Sequence, residues 1–260
     1  MLTDLRGGTA LAAYEAFAPF YDRYTAEHGH DAWMADIYDM LRRHDPPGNR
    51  LLDVACGTGK SSLPMLLRGY VVTACDLSPA MVERARERLG GRAEVRVADM
   101  RDLPWREAFD AATCIDDSIN YLLSLADVVA AMRSIREALV PRGLVVFDVN
   151  SLGAYRRAFA DEITFATDGT TFRWRGEGSR FMPAGELVRA ATEVLDADGR
   201  VATSALHVQR HYSIEQLRLA ADEAGLACVG FWGEMPGAGL VPDPDEEACS
   251  KVVCLAARPA

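Results

Sequence analysis

The chain has 260 residues, 49% of them hydrophobic and 25% charged, which is the balance of a globular protein with room for one large α/β domain and a modest insertion. A formal net charge of −10 repels polyanions over most of the surface and excludes nucleic acid as a partner, and no stretch is long and apolar enough to cross a bilayer. Met1 to Arg6 lacks the basic start and apolar centre of a signal peptide, so a cytoplasmic protein is expected; six scattered cysteines without a C-x-x-C pair read as reduced core residues.

Residues 9–44 read as two helices. Ala12, Ala16 and Phe20 recur at fourfold spacing in the first, and Trp33, Met34, Ile37, Tyr38 and Leu41 trace one apolar face in the second, which Pro46-Pro47 ends. The stretch from Phe17 to Tyr24 gathers four aromatics around Pro19, more than helix packing requires. His28 and His30 stand close together, but no cluster completes a metal site, and no metal is expected.

The apolar run Leu51–Val54 then breaks into Ala55-Cys56-Gly57-Thr58-Gly59. An all-apolar strand needs both faces covered, which predicts the first strand of a parallel sheet followed by a helix opening at Lys60. A P-loop would need glycine where Val54 stands, and the dinucleotide fingerprint would need a third glycine where Ser62 stands. Neither motif explains Asp53, an acid that would repel a pyrophosphate and suits a cationic ligand.

The segment Leu52-Asp53-Val54-Ala55-Cys56-Gly57-Thr58-Gly59 resembles motif I of the class I S-adenosylmethionine-dependent methyltransferases. The resemblance implies that Asp53, Ala55, Cys56, Gly57 and Gly59 wrap the positively charged methionine part of the cofactor, and that the Tyr21–Tyr24 segment folds over cofactor and acceptor as a lid. Simple capping of the sheet edge by these rings is the alternative.

Further along, Tyr70–Cys75 predicts a second strand ending in Asp76, an acid placed to accept both ribose hydroxyls in methyltransferases and dinucleotide enzymes alike. Ser78-Pro79 starts a helix with Met81, Val82, Ala85 and Leu89 inward, stopped by Gly90-Gly91. Ala93, Val95 and Val97 make a third strand ending at Asp99-Met100-Arg101, where the family receives the adenine amino group. Three acids in register at one strand edge, Asp53, Asp76 and Asp99, are the strongest signal in the sequence. A fourth strand, Phe109–Ile115, leads into Asp116-Asp117-Ser118-Ile119-Asn120-Tyr121, where the family puts the reacting end of the cofactor. The resemblance thus assigns Tyr21, Leu77, Met81, Met100, Arg101, Ile115, Asp116 and Ser118 to the cofactor as well.

A helix over 125–139, a turn at Pro141–Gly143 and a fifth strand over 144–150 follow. Residues 163–211, with turn signals at Asp168-Gly169 and Asp196–Gly199, read as an antiparallel meander laid over the active edge. Ser213 to Gln216 matches a capping box, Gly225 ends that helix, and strands near 226–232 and 251–258 complete the sheet, with Met235–Asp245 as a mobile loop between them. The expected fold is therefore α/β, with a Rossmann-like, doubly wound seven-stranded sheet whose last strand is antiparallel. Its expected parts are a helical lid over 1–47, a cofactor core over 48–150, a β insertion over 151–211 and a completion of the sheet over 212–260.

The expected activity is transfer of a methyl group to nitrogen or oxygen of a small-molecule acceptor, such as a sugar or natural-product intermediate, by direct displacement in which orientation does most of the work. A base is needed for a hydroxyl but hardly for an amine; His207, His211, Tyr21 and Tyr24 are the candidates, with His207 and Tyr21 assigned as catalytic. Tyr24, Asn120, Tyr121, Asn150 and Arg210 are assigned to the acceptor. The competing readings are a nicotinamide-dependent oxidoreductase and a non-catalytic cofactor-binding protein. Monomer and homodimer are left open.

Overall fold

A computed structural model describes residues 8–235 and 237–260. The sequence reading of Met1 to Arg6 lies outside the described residues. Two helices, α1 (Gly8–Tyr24) and α2 (His30–Arg43), precede β1 (Arg50–Val54), whose last four residues are buried on both faces of the sheet. Three βα units follow: α3 (Ser62–Leu67) leads to β2 (Val71–Asp76), α4 (Pro79–Leu89) to β3 (Glu94–Val97), and β4 (Phe109–Cys114) leads through a single 3-10 turn (Ser118–Tyr121) to α5 (Leu125–Ala138) and β5 (Leu139–Asn150). A short α6 (Leu152–Ala158) opens the antiparallel part, β6 (Glu162–Thr167), β7 (Thr170–Gly176), β8 (Leu187–Leu195) and β9 (Val201–Arg210). The chain ends with α7 (Ile214–Ala224), β10 (Ala227–Met235), β11 (Gly239–Pro242) and β12 (Lys251–Ala257).

The main sheet has eight strands in the order β11-β10-β12-β5-β4-β1-β2-β3. From β5 to β3 the strands are parallel, and β12 runs antiparallel between β5 and β10. The expected seven strands become eight because the Met235–Asp245 segment, read as a mobile loop, contains β11, paired with β10 from Trp232↔Pro242 to Met235↔Gly239. Proline at the end of a four-residue edge strand is tolerated because the lost N–H faces outward.

Helices cover both faces. One apolar cluster joins Leu52, Val54 and Val145 to Val128 and Met132 of α5 and Leu217 and Ala221 of α7. The other joins Leu51, Val72 and Val146 to Met34, Ile37 and Leu41 of α2 and Val82 and Ala85 of α4. Period-two alternation within each parallel strand thus feeds two separate cores. The capping box at Ser213 and Gln216 is present, and Gly225 closes α7 in a left-handed conformation at φ 78°.

Three local expectations fail. The face of α1 that packs inward is Ala13, Phe17 and Ala18, while Ala12 and Ala16 are exposed. No helix opens at Lys60; residues 57–61 form turns and α3 starts at Ser62. The Pro141–Gly143 turn lies inside one continuous strand, with Arg142 at φ 67° and a register shift between Phe109 and Ala111.

Sheet β6-β7-β8-β9 is the expected meander, with turns at both sites read from the sequence. Helix α1 lies against it: Phe17 packs with Phe172, Val194 and Ala205. The same helix bonds Thr58 through Asp22 and Ser78 through Glu15, in the segments that follow β1 and β2, so it links the antiparallel sheet to the C-terminal edge of the parallel one.

Candidate active site

A cleft of about 310 Å³ opens at those strand ends. Its floor is the loop after β1, where Ala55 and Gly57 adopt left-handed conformations at φ 56° and 54°. A Cβ on Gly57 would stand 3.8 Å from Tyr21 Cε1, in the slot between loop and α1. Asp76 ends β2 beside it. Gly57 N–H donates to its Oδ2 and Ser78 N–H to its Oδ1, each at 2.9 Å, yet burial still pushes the carboxyl up to about 6.

Asp99 stands at the far end of the cleft, gripped by Arg101, whose backbone N–H and guanidinium both donate to it. Burial works to raise the Asp99 pKa, but these hydrogen bonds outweigh it and hold it low. Arg101 also reaches Asp127 at 3.3 Å, so Asp99, Arg101 and Asp127 line one wall together.

The third acid is elsewhere. Asp53 is 1% exposed and does not line the cleft; it accepts hydroxyls from Ser61, Ser62 and Thr113 under the loop. Burial raises its pKa, and the three hydroxyls offset part of that. Asp53 therefore shapes the loop from below and offers a ligand no free oxygen. Gly59 is also absent from the lining: a Cβ there would meet Ala85 and Leu89 of α4 at 3.4 Å, so this glycine serves helix packing.

At the C-terminal end of β4, Asp116 and Asp117 both have positive φ, 59° and 54°, with their N–H groups on the Asp148 carboxylate. Lys251 of β12 reaches Asp117 at 3.1 Å, Asp148 at 3.2 Å and Asp116 at 3.8 Å. Burial favours neutral Asp116, but the 2.6 Å contact with His30 Nε2 and the Lys251 charge prevail and hold it down at about 2. Asp148, with no such ring, is pushed up by burial to about 6. His30, Tyr14, Tyr21 and Tyr121 complete this end of the cleft.

The methyltransferase-domain family profile matches residues 51–143. A putative methyltransferase of Geobacillus sp. (strain WCH70) is 34% identical over 60% of this chain and 64% of its own, so the chain spans under two thirds of that relative's length. A dTDP-3-amino-3,6-dideoxy-α-D-glucopyranose N,N-dimethyltransferase of Streptomyces fradiae is 32% identical over 79% of this chain and 81% of its own. The chain belongs to the class I S-adenosylmethionine-dependent methyltransferases. A solved member, the S-adenosylmethionine-bound amino pentose methyltransferase CalS10 of Micromonospora echinaspora, superposes with a TM-score of 0.71 at 26% identity, covering 92% of this chain and 96% of that one.

From the expected set, the cleft lining takes in Tyr21, Ala55, Cys56, Gly57, Asp76, Leu77, Met81, Asp99, Met100, Arg101, Ile115, Asp116, Ser118 and Tyr121. The remaining acceptor residues do not reach it. Asn120 is fully buried, donating to Arg210 C=O and accepting from Asn150 N–H; the Asn150 amide is turned to Gln209. Arg210 binds the Gly185 and Leu123 carbonyls, and Tyr24 packs on Phe17 and Phe172. These four brace the β9 and 3-10 segments behind the cleft.

His207 is likewise set back, 5% exposed, and burial pushes its pKa down to about 4. His211 is sealed between Gly185 N–H and Glu246. Tyr14 and His30 line the cleft although the sequence reading placed neither there, having weighed His30 only with His28 as a metal pair. Tyr14 lies two helical turns before Tyr21, a spacing of seven that puts both on one face of α1, and this signal was available. His30 had none, because its partner Asp116 is 86 residues away. Among the described residues no group of three or more His, Cys, Asp or Glu is arranged to hold a metal ion, and no helix is long and apolar enough to cross a membrane.

Proposed function

We propose that this methyltransferase binds S-adenosylmethionine in the cleft and methylates the amino group of a small acceptor, an amino sugar or a related natural-product intermediate. The observation that carries the cofactor assignment is the pairing of the Gly57 slot with Asp76 and Asp99. Asp76 keeps lone pairs that could take a ribose diol, Asp99 and Met100 line the wall that would hold an adenine edge, and Gly57 leaves the space beneath Tyr21 open to a methionine chain. The bound cofactor supplies an electrophilic methyl on a sulfonium, and the displaced thioether leaves neutral.

The chain's own residues orient the partners and exclude water. Helix α1 covers the cleft with Tyr14 and Tyr21, which would hold the acceptor nitrogen toward the cofactor's methyl group and keep water out. The nitrogen then sheds a proton to solvent. An amine needs no base during transfer, which accords with the retreat of His207 from the cleft. The amine preference also matches the acceptors named for the Streptomyces fradiae and Micromonospora echinaspora relatives.

Hydroxyl methylation is the second reading, supported by the His30–Asp116 pair, the one lining imidazole held by a carboxylate. Calorimetry with S-adenosylhomocysteine and with NAD tests the cofactor: binding of the first and not the second is expected. A panel of dTDP-amino sugars and their hydroxyl counterparts with methyl-labelled cofactor tests the acceptor. Label on the hydroxyl compounds alone would overturn the amine reading.

A further inference from the structure

Tyr14 and Tyr121 both line the cleft, and their hydroxyls meet at 3.0 Å. Behind them Tyr121 O–H meets His207 Nδ1 at 2.8 Å. His207 touches no ligand space. Its Nε2 is buried with no hydrogen-bond partner among the described residues, and its ring is enclosed by Trp174, stacked at 5.9 Å, and by Tyr14 and Phe17 at 5.7 and 6.4 Å.

Such a chain can run in two directions. Either Tyr14 donates to Tyr121 and Tyr121 to Nδ1, or Nδ1–H donates to Tyr121, Tyr121 to Tyr14, and Tyr14 aims its O–H into the cleft. We infer that His207 is a positioning residue whose Nε2–H tautomer draws the chain away from the cleft, so that Tyr14 offers an acceptor only oxygen lone pairs.

Two physical arguments select this direction. A phenol is a stronger donor than an imidazole N–H, and an imidazole nitrogen is a stronger acceptor than a phenol oxygen, so O–H to Nδ1 is the better-matched pair. The atom left over sits among aromatic rings whose faces are negative. An N–H there gains weak ring contacts, whereas a lone pair would be repelled. Burial also keeps the ring neutral, down to about 4, so an imidazolium donating from both nitrogens does not form near neutral pH.

This rests on the methyl-transfer reading for its consequence: an N–H donor docks on Tyr14 oxygen with its own lone pair turned to the methyl, while a carbonyl or carboxylate at that place meets only repulsion. Burial raises Tyr14 well above the ordinary phenol range, so its proton stays on and continues to feed the chain.

Long-range proton–nitrogen correlation on histidine-labelled protein decides the tautomer without any turnover. The expected result is a neutral His207 protonated at Nε2 from about pH 5.5 to 8; protonation at Nδ1, or an imidazolium, overturns the inference. His207→Phe keeps the ring and removes the acceptor, while His207→Asn restores an acceptor oxygen. With the amine that the wild type turns over in the panel above, His207→Phe should raise KM about tenfold, and His207→Asn should recover part of it, with S-adenosylhomocysteine affinity within about twofold in both. Equal losses in both variants that track their melting temperatures would mean a packing role and overturn it. Failure of amine methylation in the wild type would fall on the proposed function alone, because the tautomer is read independently.

Discussion

Asp76 ties the glycine loop to the first turn of α4 before any ligand arrives, since its two oxygens take N–H groups from Gly57 and Ser78. Its role toward a ribose is tested by Asp76→Ala, which should weaken S-adenosylhomocysteine binding by about 1.5–3 kcal/mol; an unchanged dissociation constant with the fold intact would take Asp76 out of the site. The two loop glycines should separate in ligand affinity. Gly57→Ala places a Cβ in the ligand slot at 3.8 Å from Tyr21 and strains the backbone at φ 54°, so affinity falls in addition to about 1–2 kcal/mol of stability. Gly59→Ala places one at 3.4 Å from Ala85 and Leu89, at φ 79°, so stability falls by about 1–2 kcal/mol and affinity holds in the folded fraction. Calorimetry beside thermal melts distinguishes them, and identical profiles would refute the division of labour. At this scale the sequence told residue type and strand-end position well. It could not tell direction: Asp53, Asp76 and Asp99 look equivalent in the chain, and only the side chains of Ser61, Ser62 and Thr113 reveal that Asp53 is spent beneath the loop.

Helix α1 is held over the cleft by side chains from three places. Glu15 accepts from Ser78 hydroxyl and Ala80 N–H, Asp22 accepts from Thr58 hydroxyl and Arg88, and Lys60 donates to the Asp22 and Thr25 carbonyls. Ligand entry and exit require these ties to break together if α1 is the lid. Removing both the partly exposed Asp22–Arg88 pair and the Thr58 contact with Asp22→Ala should cost about 1 kcal/mol of closure and speed S-adenosylhomocysteine release about fivefold in stopped flow. Hydrogen exchange over residues 14–30 should show protection rising on binding; protection already high and unchanged would make α1 a fixed wall. The inward face of α1 was misread for a related reason. A helix that packs on β9 with Phe17 and covers a cleft with Tyr14 and Tyr21 has two apolar faces, and a single periodicity cannot serve both. Strand β11 escaped notice because four residues rich in glycine and proline carry no alternation. The regular βα units were legible, since each strand there feeds two cores and each helix has one buried stripe.

Across the whole molecule, the ionisable groups set opposing pH dependences. Asp76 and Asp148 are raised to about 6, so they contribute stability that is full below the unfolded value near 3.9 and is lost as pH rises through 6. His207 is lowered to about 4 from 6.5, so the unfolded chain binds its proton first, and stability is full above 6.5 and lost as pH falls through 4. The histidine thus opposes the two acids in the same pH range. Replacing His207 with phenylalanine removes only the component that rises with pH, so urea midpoints of that variant should fall more steeply between pH 4.5 and 6.5 than those of the wild type.

Ligand binding should follow one of these groups alone. Ionised Asp76 is the stronger acceptor for a ribose diol, and protonation both removes a lone pair and turns a donor toward the hydroxyls. S-adenosylhomocysteine affinity in the wild type should therefore rise between pH 5 and 7, with the inflection near the Asp76 value of about 6. Asp148 is fully buried and bonded to the Asp116 and Asp117 amides, so its titration reaches the ligand only indirectly. Asp76→Asn, which cannot ionise, separates the two: its affinity should be weaker at pH 7 and nearly flat across the range. A wild-type profile that is flat, or a slope that persists unchanged in Asp76→Asn, would take Asp76 out of the pH-sensitive contact.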